Sequence, residues 1–584
     1  MEYELKKIDA SLDDTRNNPS KLLVLLKGEY IGLGIALLAI LINSGLNIFA
    51  PLLLGQAVDI ITKHNDFDAL KNVSIFLFIT YSGIALTSYL QTILTGSMGQ
   101  RILFKLRNQI FEKLQSFPIA FFNANKSGDL ISRINNDTEK LNNFFSEGLV
   151  RLVGEIFTIA GIGIFIVILN WKLGLITLAA AVVLFIVTTV LTPWIRRRNR
   201  LSLEATGDFA ADIQENLNNY KVLVVFNRKS YFRDKMQESI SRTYEAATRA
   251  GIANNISGPL YFLANRVSLL LVLVFGFYLV STGEITIGLL VTFIAYANNF
   301  YSPLQEMAQV YSIVQTAIAA WDRIQEILGL EINIKKITDP EIINSDNILE
   351  FKNVDFGYSK DNIILKNINF EFHKGYTYAL VGPTGGGKST TAALMARLYD
   401  PVEGKVFLKG KDIRSYSDEE KSQIIGFILQ DPYIFSGTVY ENIIYGNRKY
   451  EKVPQEEVVK VLEQKELIQL IEKFPGGLES QISSTDENIS LGQKQLVAFL
   501  RVLLREPELL ILDEATANID TITEEALQKI IDHLPKETTK VIIAHRLNTI
   551  QKADEIIFIS GGVAQSSRSF DEVVKLIGNT KRES

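Results

Sequence analysis

Val381-Gly-Pro-Thr-Gly-Gly-Gly-Lys388-Ser389-Thr390 fits the phosphate-binding pattern G-x-x-x-x-G-K-[ST]. Thr377-Tyr-Ala-Leu-Val381 before it reads as a short buried strand, and Thr391-Ala-Ala-Leu-Met-Ala-Arg-Leu after it reads as a helix. The motif therefore sits in the strand–loop–helix setting that it needs. Gly382, Thr384, Gly385, Gly386 and Gly387 give a loop whose backbone N–H groups close around phosphate oxygens, with the helix N-terminus adding positive potential. Lys388 then reaches the outer phosphates, Ser389 is placed to ligate Mg²⁺, and Thr390 completes the turn. The implied ligand is a nucleoside triphosphate with Mg²⁺. A plain glycine-rich turn before an ordinary helix is the alternative, and the residues further along the chain argue against it.

The whole composition points to more than a nucleotide domain. At 584 residues the chain is too long for one core. Its net charge of −5 gives no basic field for nucleic acid, so none is expected as a partner. A hydrophobic fraction of 47% with a mean hydropathy of +0.14 suggests membrane spans. There is no cysteine, which excludes disulfides, cysteine–zinc sites and thiol catalysis.

The N-terminal part supplies the spans. Residues 1–22 read as a cytosolic tail, with Lys21 to Glu29 as a short amphipathic helix at the membrane surface. Six apolar runs follow: Tyr30–Val58, Val73–Gln100, Ile156–Trp171, Leu173–Ile195, Val267–Gly283 and Ile285–Gln305. A bilayer core takes about 20 apolar residues as a helix, and six such runs leave buried soluble helices as an untenable explanation. Arg101, Lys105, Arg107, Lys113, Lys126, Arg133 and Lys140 follow the second run, and Arg196, Arg197, Arg198 and Arg200 follow the fourth. The positive-inside bias puts those two long linkers and both termini in the cytosol, on the inner side of the cytoplasmic membrane. The linkers read as membrane helices continuing into the cytosol, each ending in a tip that touches another domain.

Two ionisable residues stand inside the apolar zone. Glu155 and Arg266 both fall roughly 22 Å below the outer surface at 1.5 Å per residue. Equal depth suggests an ion pair, either a substrate or proton site or a structural pair, or else a basic side chain snorkelling to the headgroups. Asn298, Asn299 and Tyr301 line a polar cavity or bond between helices. The expected organisation is a tail over 1–22, a six-helix membrane domain over 23–325, a linker over 326–347 and a nucleotide-binding domain over 348–584. The fold class is multidomain: an all-α six-helix transmembrane domain plus an α/β P-loop domain.

From Ile348 the pattern alternates short strands and helices. Leu509-Leu-Ile-Leu-Asp513-Glu514 reads as a strand ending in two carboxylates. In that reading Asp513 holds the Mg²⁺ shell and Glu514 polarises the attacking water. Val541-Ile-Ile-Ala-His545 is a further strand ending at a polar residue, placing His545 near a γ-phosphate at the carboxyl edge of the sheet, unless it merely caps that edge.

These motifs resemble those of the ATP-binding cassette exporters, in particular half-transporters with one membrane domain fused to one nucleotide-binding domain, and the resemblance covers nearly the whole chain. Asp355-Phe-Gly-Tyr358 resembles the loop whose aromatic residue stacks on adenine, with Tyr358 as platform. Leu429-Gln430-Asp-Pro-Tyr-Ile-Phe-Ser-Gly-Thr438 resembles the Q-loop, where Gln430 meets Mg²⁺. Asn488-Ile-Ser490-Leu-Gly492-Gln493 is similar to the family signature, Asn518-Ile-Asp520 to the D-loop and Ala544-His545-Arg546-Leu to the switch-histidine loop. Phe121 to Arg133 and Glu215 to Lys221 resemble the two coupling segments.

The resemblance implies that Ser490, Gly492 and Gln493 face a nucleotide held by another subunit, so a second half-transporter completes each site. Leu491, Asn518 and Ile519 depart from the usual residues, as in heterodimeric exporters, while Glu514 is retained. This implies the catalytically intact chain of a heterodimer, with a homodimer as the alternative. The implied function is ATP-driven export of amphipathic drugs or lipids. Export of one specific product, such as a peptide or lipid, and an ATP-gated channel or regulator are the other readings.

Overall fold

The computed structural model describes residues 5, 22, 24–63, 66–331, 337–358, 362–483, 489–513, 527, 530–531, 534–544 and 550–567, the side chains of residues 63 and 308 excepted. The chain divides into two compact units. One spans Leu5–Gln115 and Ser127–Gly329, and the other contains Leu330–Ser584 together with Ser116–Lys126.

In the first unit the apolar runs form long helices: α1 (Tyr30–Lys63), α2 (Phe67–Gln115), then α4 (Ser127–Leu169), α5 (Trp171–Asn218), α7 (Lys229–Ser281) and α8 (Ile287–Gly329). In sequence, two short helices stand in the linkers, α6 (Tyr220–Val225) between α5 and α7, and α3 (Ile119–Ala124), which belongs to the second unit, between α2 and α4. Among the described residues, α1, α2, α4, α5 and α7 are long and apolar enough to cross a membrane. The sixth run opens α8, which has no charged residue before Glu306. Phe78, Ile168 and Phe185 are 74%, 72% and 71% exposed. Acyl chains tolerate such a surface and water does not. Of the segment Lys21 to Glu29, Leu22 is helical and Val24–Leu26 form a 3₁₀ turn among the described residues.

Buried polar groups pin these helices together. Tyr301 Oη and Ser268 Oγ both donate to the carbonyl oxygen of Thr177 at 3.0 Å, joining α8 and α7 to α5. Tyr296 Oη donates to the carbonyl of Ile48 on α1. Ile162, Ile166, Leu173 and Phe293 fill the space between them. In such surroundings an unmatched polar group is costly, and each of these three hydroxyls has a partner on a neighbouring helix.

The second unit is built on sheets. The strands are β1 (Leu349–Phe356), β2 (Leu365–Phe372), β3 (Thr377–Val381), β4 (Glu403–Leu408), β5 (Lys411–Asp412), β6 (Ile425–Ile428), β7 (Gly437–Thr438), β8 (Gln481–Ile482), β9 (Leu509–Asp513), β10 (Thr539–Ile543), β11 (Glu555–Ser560) and β12 (Val563–Ser567). The large sheet runs β12-β11-β3-β10-β9-β6. All of its pairs are parallel except β11 with β12. A separate antiparallel sheet runs β2-β1-β4-β5. Strands β3 and β9 are almost wholly buried, which explains their continuous apolar sequence. Ile543 at the end of β10 pairs with Leu380 on one side and Asp513 on the other. The carboxyl ends of three central strands are therefore level, and the site gathers along that edge.

Candidate functional site

The phosphate loop leaves β3 and enters α9 (Lys388–Met395). Its glycines are needed for two different reasons. Gly382 has φ +151°, and a Cβ there would lie 2.0 Å from the carbonyl oxygen of Ile559. Gly385 has φ +79° but open space around it, so its requirement is conformational alone. Gly386 N–H donates to Pro383 O at 3.0 Å and tightens the loop. Gly386 and Gly387 are buried, whereas Thr384, Gly385 and Ser389 face solvent.

Lys388 is 5% exposed, and its Nζ donates to the carbonyls of Gly382 and Pro383, each at 3.0 Å. Its ammonium is thus held across the mouth of the loop by groups that an incoming phosphate can outbid, because charge-assisted pairing is stronger than bonding to a neutral carbonyl. Ser389 Oγ donates to Asp513 Oδ1 at 3.3 Å. The two residues that sequence spacing assigned to one cation shell are therefore adjacent, and this hydroxyl–carboxylate pair fits Mg²⁺, which prefers hard oxygen ligands.

The aromatic side of the site is a cluster. Tyr358 Oη lies 3.2 Å from Thr390 Oγ1, and its ring stands edge-on to Phe356 at 5.2 Å and Tyr399 at 5.1 Å. Tyr358 remains 53% exposed, so one ring face is available for stacking. Tyr399 was not singled out by sequence. Burial pushes its phenol above the ordinary range, and its Oη accepts a 2.7 Å hydrogen bond from Asn123 Nδ2 on α3. The short helix α3 is seated by Phe121, which is fully buried and stacks on Phe117 at 4.3 Å.

Gln430 follows β6 and is exposed at the same edge. The segment after it is clamped by Arg501 of α10 (Leu491–Leu503). Arg501 donates to Tyr433 O at 3.2 Å and to Asn442 O at 2.8 Å, and its guanidinium lies over Phe435 and Tyr445. This clamp was invisible in the sequence, because its partners are some sixty residues away. Helix α10 begins with a capping box: Ser490 Oγ accepts from Gln493 N at 3.2 Å, and Gln493 Oε1 accepts from Ser490 N at 3.0 Å. Gln493 Nε2 is further committed to Lys473 O at 2.9 Å. Gln493 thus holds the helix start. Ser490 and Leu491 are exposed there, and Gly492 is buried. Glu514 and His545 lie outside the described residues, as do Asn518, Ile519, Asp520 and Arg546.

Residues 33–304 match the ABC transporter transmembrane region, and residues 365–517 match the family described as ABC transporter. An uncharacterised ABC transporter ATP-binding protein of Bacillus subtilis is 31% identical over 553 residues, which cover 93% of this chain and 90% of the relative. The chain belongs to the ABC transporter family. A fatty acid ABC transporter ATP-binding/permease protein of Mycobacterium tuberculosis is 31% identical over 521 residues, covering 89% of this chain and 81% of its own. A multidrug resistance ABC transporter ATP-binding and permease protein of Lactococcus lactis is 29% identical over 495 residues, covering 85% and 83%. As an ABC transporter the protein spans a membrane, binds ATP and couples ATP hydrolysis to transport.

The membrane half of this ABC transporter corrects one expectation. Arg266 lies over the ring of Phe262 at 4.7 Å, and among the described residues it makes no ion pair with Glu155. Glu155 instead meets Glu306 and Arg151. Equal depth along two helices says nothing about which helices are neighbours, and the Leu149–Leu169 part of α4, which holds Glu155, packs against α1, α5 and α8. Of the three polar residues on the sixth run, Asn299 lines a cavity, Tyr301 is buried against Thr177, and Asn298 donates to Ile294 O on its own helix.

Proposed function

We propose that this chain is one half of an ATP-driven exporter of amphipathic compounds, drugs or lipids, which works by alternating access across the cytoplasmic membrane. Its termini and nucleotide-binding domain lie in the cytosol, and its partner is a second half-transporter. The observation that carries the reading is that the phosphate loop and the Ser490–Leu491 end of α10 are both open to solvent in a single chain. A cradle and a helix N-terminus that each suit an anion, both exposed among the described residues, make sense as two halves of sites completed by another copy of the fold. Helix α6 adds to this: it has no buried residue, and Val225 and the adjoining Phe226 are 78% and 71% exposed. Names given to relatives, multidrug resistance and fatty acid transport, suit an amphipathic substrate.

In this reading the backbone of Gly385 to Gly387 and Lys388 bind the phosphates, and Tyr358 stacks on the adenine. Ser389, Asp513 and Gln430 hold Mg²⁺, which neutralises charge on the outer phosphates when bound. Thr384 and Thr390 line the cradle, and Ser490, Gly492 and Gln493 present the start of α10 to the partner's nucleotide. Glu514 orients and deprotonates the attacking water, and His545 holds the γ-phosphate. Leu491, Asn518 and Ile519, with Glu514 retained, favour a heterodimer in which this chain carries the intact catalytic set; a homodimer with a mildly variant signature, which keeps Ser490 and Gly492, is the second reading.

The test is Glu514→Gln. Nucleotide affinity stays within twofold and turnover falls by roughly 100-fold or more, as expected on losing a general base. Turnover that survives the substitution removes Glu514 from this role.

A further inference from the structure

Helix α5 has no ionisable residue from Leu173 to Ile195, a rise of roughly 34 Å at 1.5 Å per residue, or about one bilayer core. Arg196, Arg197 and Arg198 follow directly. Trp194, just before them, is 38% exposed. An exposed tryptophan beside a run of arginines marks the headgroup level of a membrane face.

The fold gives these three guanidinium groups no counter-ion. Among the described residues none of them makes an ion pair. The first carboxylate on α5 is Glu204, and Arg200 already holds it at 2.8 Å. Helix α7 meets α5 at this level through Asn199 and Asn254, whose side-chain amides exchange hydrogen bonds at 2.8 and 2.9 Å. That contact supplies no charge. The last carboxylate on α7 is Glu245, and Arg249 takes it at 3.2 Å. Further along the same two helices Lys235 pairs with Asp212 and Arg242 with Glu238. The surface leading to the unpaired arginines is apolar. Val182, Ile186, Val190 and Pro193 recur at helical spacing on one exposed face, which Arg196, Arg197 and Arg200 continue. Val182, Ile186 and Val190 are 60%, 56% and 71% exposed.

We infer that Arg196 and Arg197, with Arg198 adding charge beside them, bind the headgroup phosphate of an anionic phospholipid, one acyl chain of which lies along Pro193, Val190, Ile186 and Val182. An apolar stripe that ends in unpaired guanidinium groups complements a molecule with an acyl chain and a negative head. Guanidinium forks take phosphate oxygens two at a time, which suits the headgroup diester. A zwitterionic lipid carries its own cation and leaves the arginines unbalanced, so the site prefers a head of net negative charge. With the orientation proposed above, the lipid belongs to the cytoplasmic leaflet. The inference needs only that α5 spans a membrane, and neither the exporter reading nor the substrate enters it.

The experiment is native mass spectrometry of the full-length chain, together with its partner half if assembly requires one. The protein is released from micelles that hold dioleoyl phosphatidylglycerol and dioleoyl phosphatidylcholine in equal amounts, so only the headgroup differs between the probes. Lipid retained on the unmodified protein is enriched in phosphatidylglycerol by at least about fivefold, the effect expected of one basic side chain facing an anionic head. Replacing both residues, Arg196→Gln with Arg197→Gln, leaves less than about twofold enrichment, and the charge-keeping pair Arg196→Lys with Arg197→Lys stays above that level. Thermal unfolding checks that both variants fold. Equal retention of the two lipids by the unmodified protein overturns the inference and needs no variant. Enrichment that persists unchanged in the glutamine variant also overturns it, and so does its loss in the lysine variant, which would make the effect structural and not one of charge. A face covered by the partner half, and so closed to lipid, gives the first of these results.

Discussion

Gly382 and Lys388 show how little of a residue's role resides in its own chemistry. The ammonium of Lys388 is useful because the backbone folds its carbonyls around it, and that fold requires Gly382 to pass within reach of Ile559 O. Gly382→Ala forces the loop away from β11 and strains a φ of +151°, at a cost of about 1–3 kcal/mol. The expected result is a lower melting temperature and at least tenfold weaker ATP binding, measured by thermal unfolding and nucleotide titration; unchanged values for both would show that the loop has room that the structure denies. The motif was legible because a phosphate loop is a local structure whose spacing is fixed by contiguous backbone. Tyr399 and Arg501 were not legible, because each acts on residues distant in sequence, and an isolated tyrosine or arginine carries no spacing to read.

The long linkers fold largely as helical extensions, each interrupted in sequence by a short helix, and their stability depends on charge. Arg133, 3% exposed, pairs with Asp129 at 3.0 Å and Glu326 at 2.7 Å, and it donates to Arg323 O at 2.9 Å. Arg323 in turn pairs with Asp129 and Asp137, each at 3.1 Å. This knot ties the start of α4 to the end of α8. A π-helical turn over Arg133–Asp137 brings both of its end residues into the knot. Removing one member of a buried network leaves its partners uncompensated, so Arg133→Ala destabilises the protein by about 3 kcal/mol. Arg133→Lys recovers only part, since an ammonium cannot reproduce the fork of contacts. Thermal unfolding in lipid decides this, and an Arg133→Ala protein that melts with the parent would relegate the knot to a surface feature. Sequence reasoning found these segments as charged helices but read their basic residues as topology signals alone. Several of them are also structural partners.

At the scale of the whole molecule, one chain presents two unfinished surfaces: the open edge at Ser490 and Leu491, and the apolar exposed helix α6. Both suit the second half-transporter proposed above. The mass of the chain expressed alone and purified in detergent, taken with its ATPase rate, tells which kind. An active dimer establishes a homodimer that tolerates Leu491, and an inactive monomer establishes the need for a different partner chain. The polar cavity in the membrane unit also belongs at this scale, because residues of α1, α2, α4 and α8 line it together. Asn43 and Asn47 did leave a trace in the sequence. They are two amides four residues apart in an uncharged run, and that spacing puts them on one helix face.

The sequence by itself determined the two-part organisation, the apolar helices, the strand–loop–helix of the nucleotide site and the family. Each of these depends on local periodicity, on run length or on motifs of contiguous residues. Only the tertiary structure decided that Ser389 meets Asp513, that Tyr358 rests against Tyr399 and Thr390, and that Glu155 faces Glu306 in place of Arg266. The helical rise fixes how deep a residue lies, but not the direction in which it points or the helix it meets. Those follow from the packing of all the helices and strands together, which no single stretch of sequence contains.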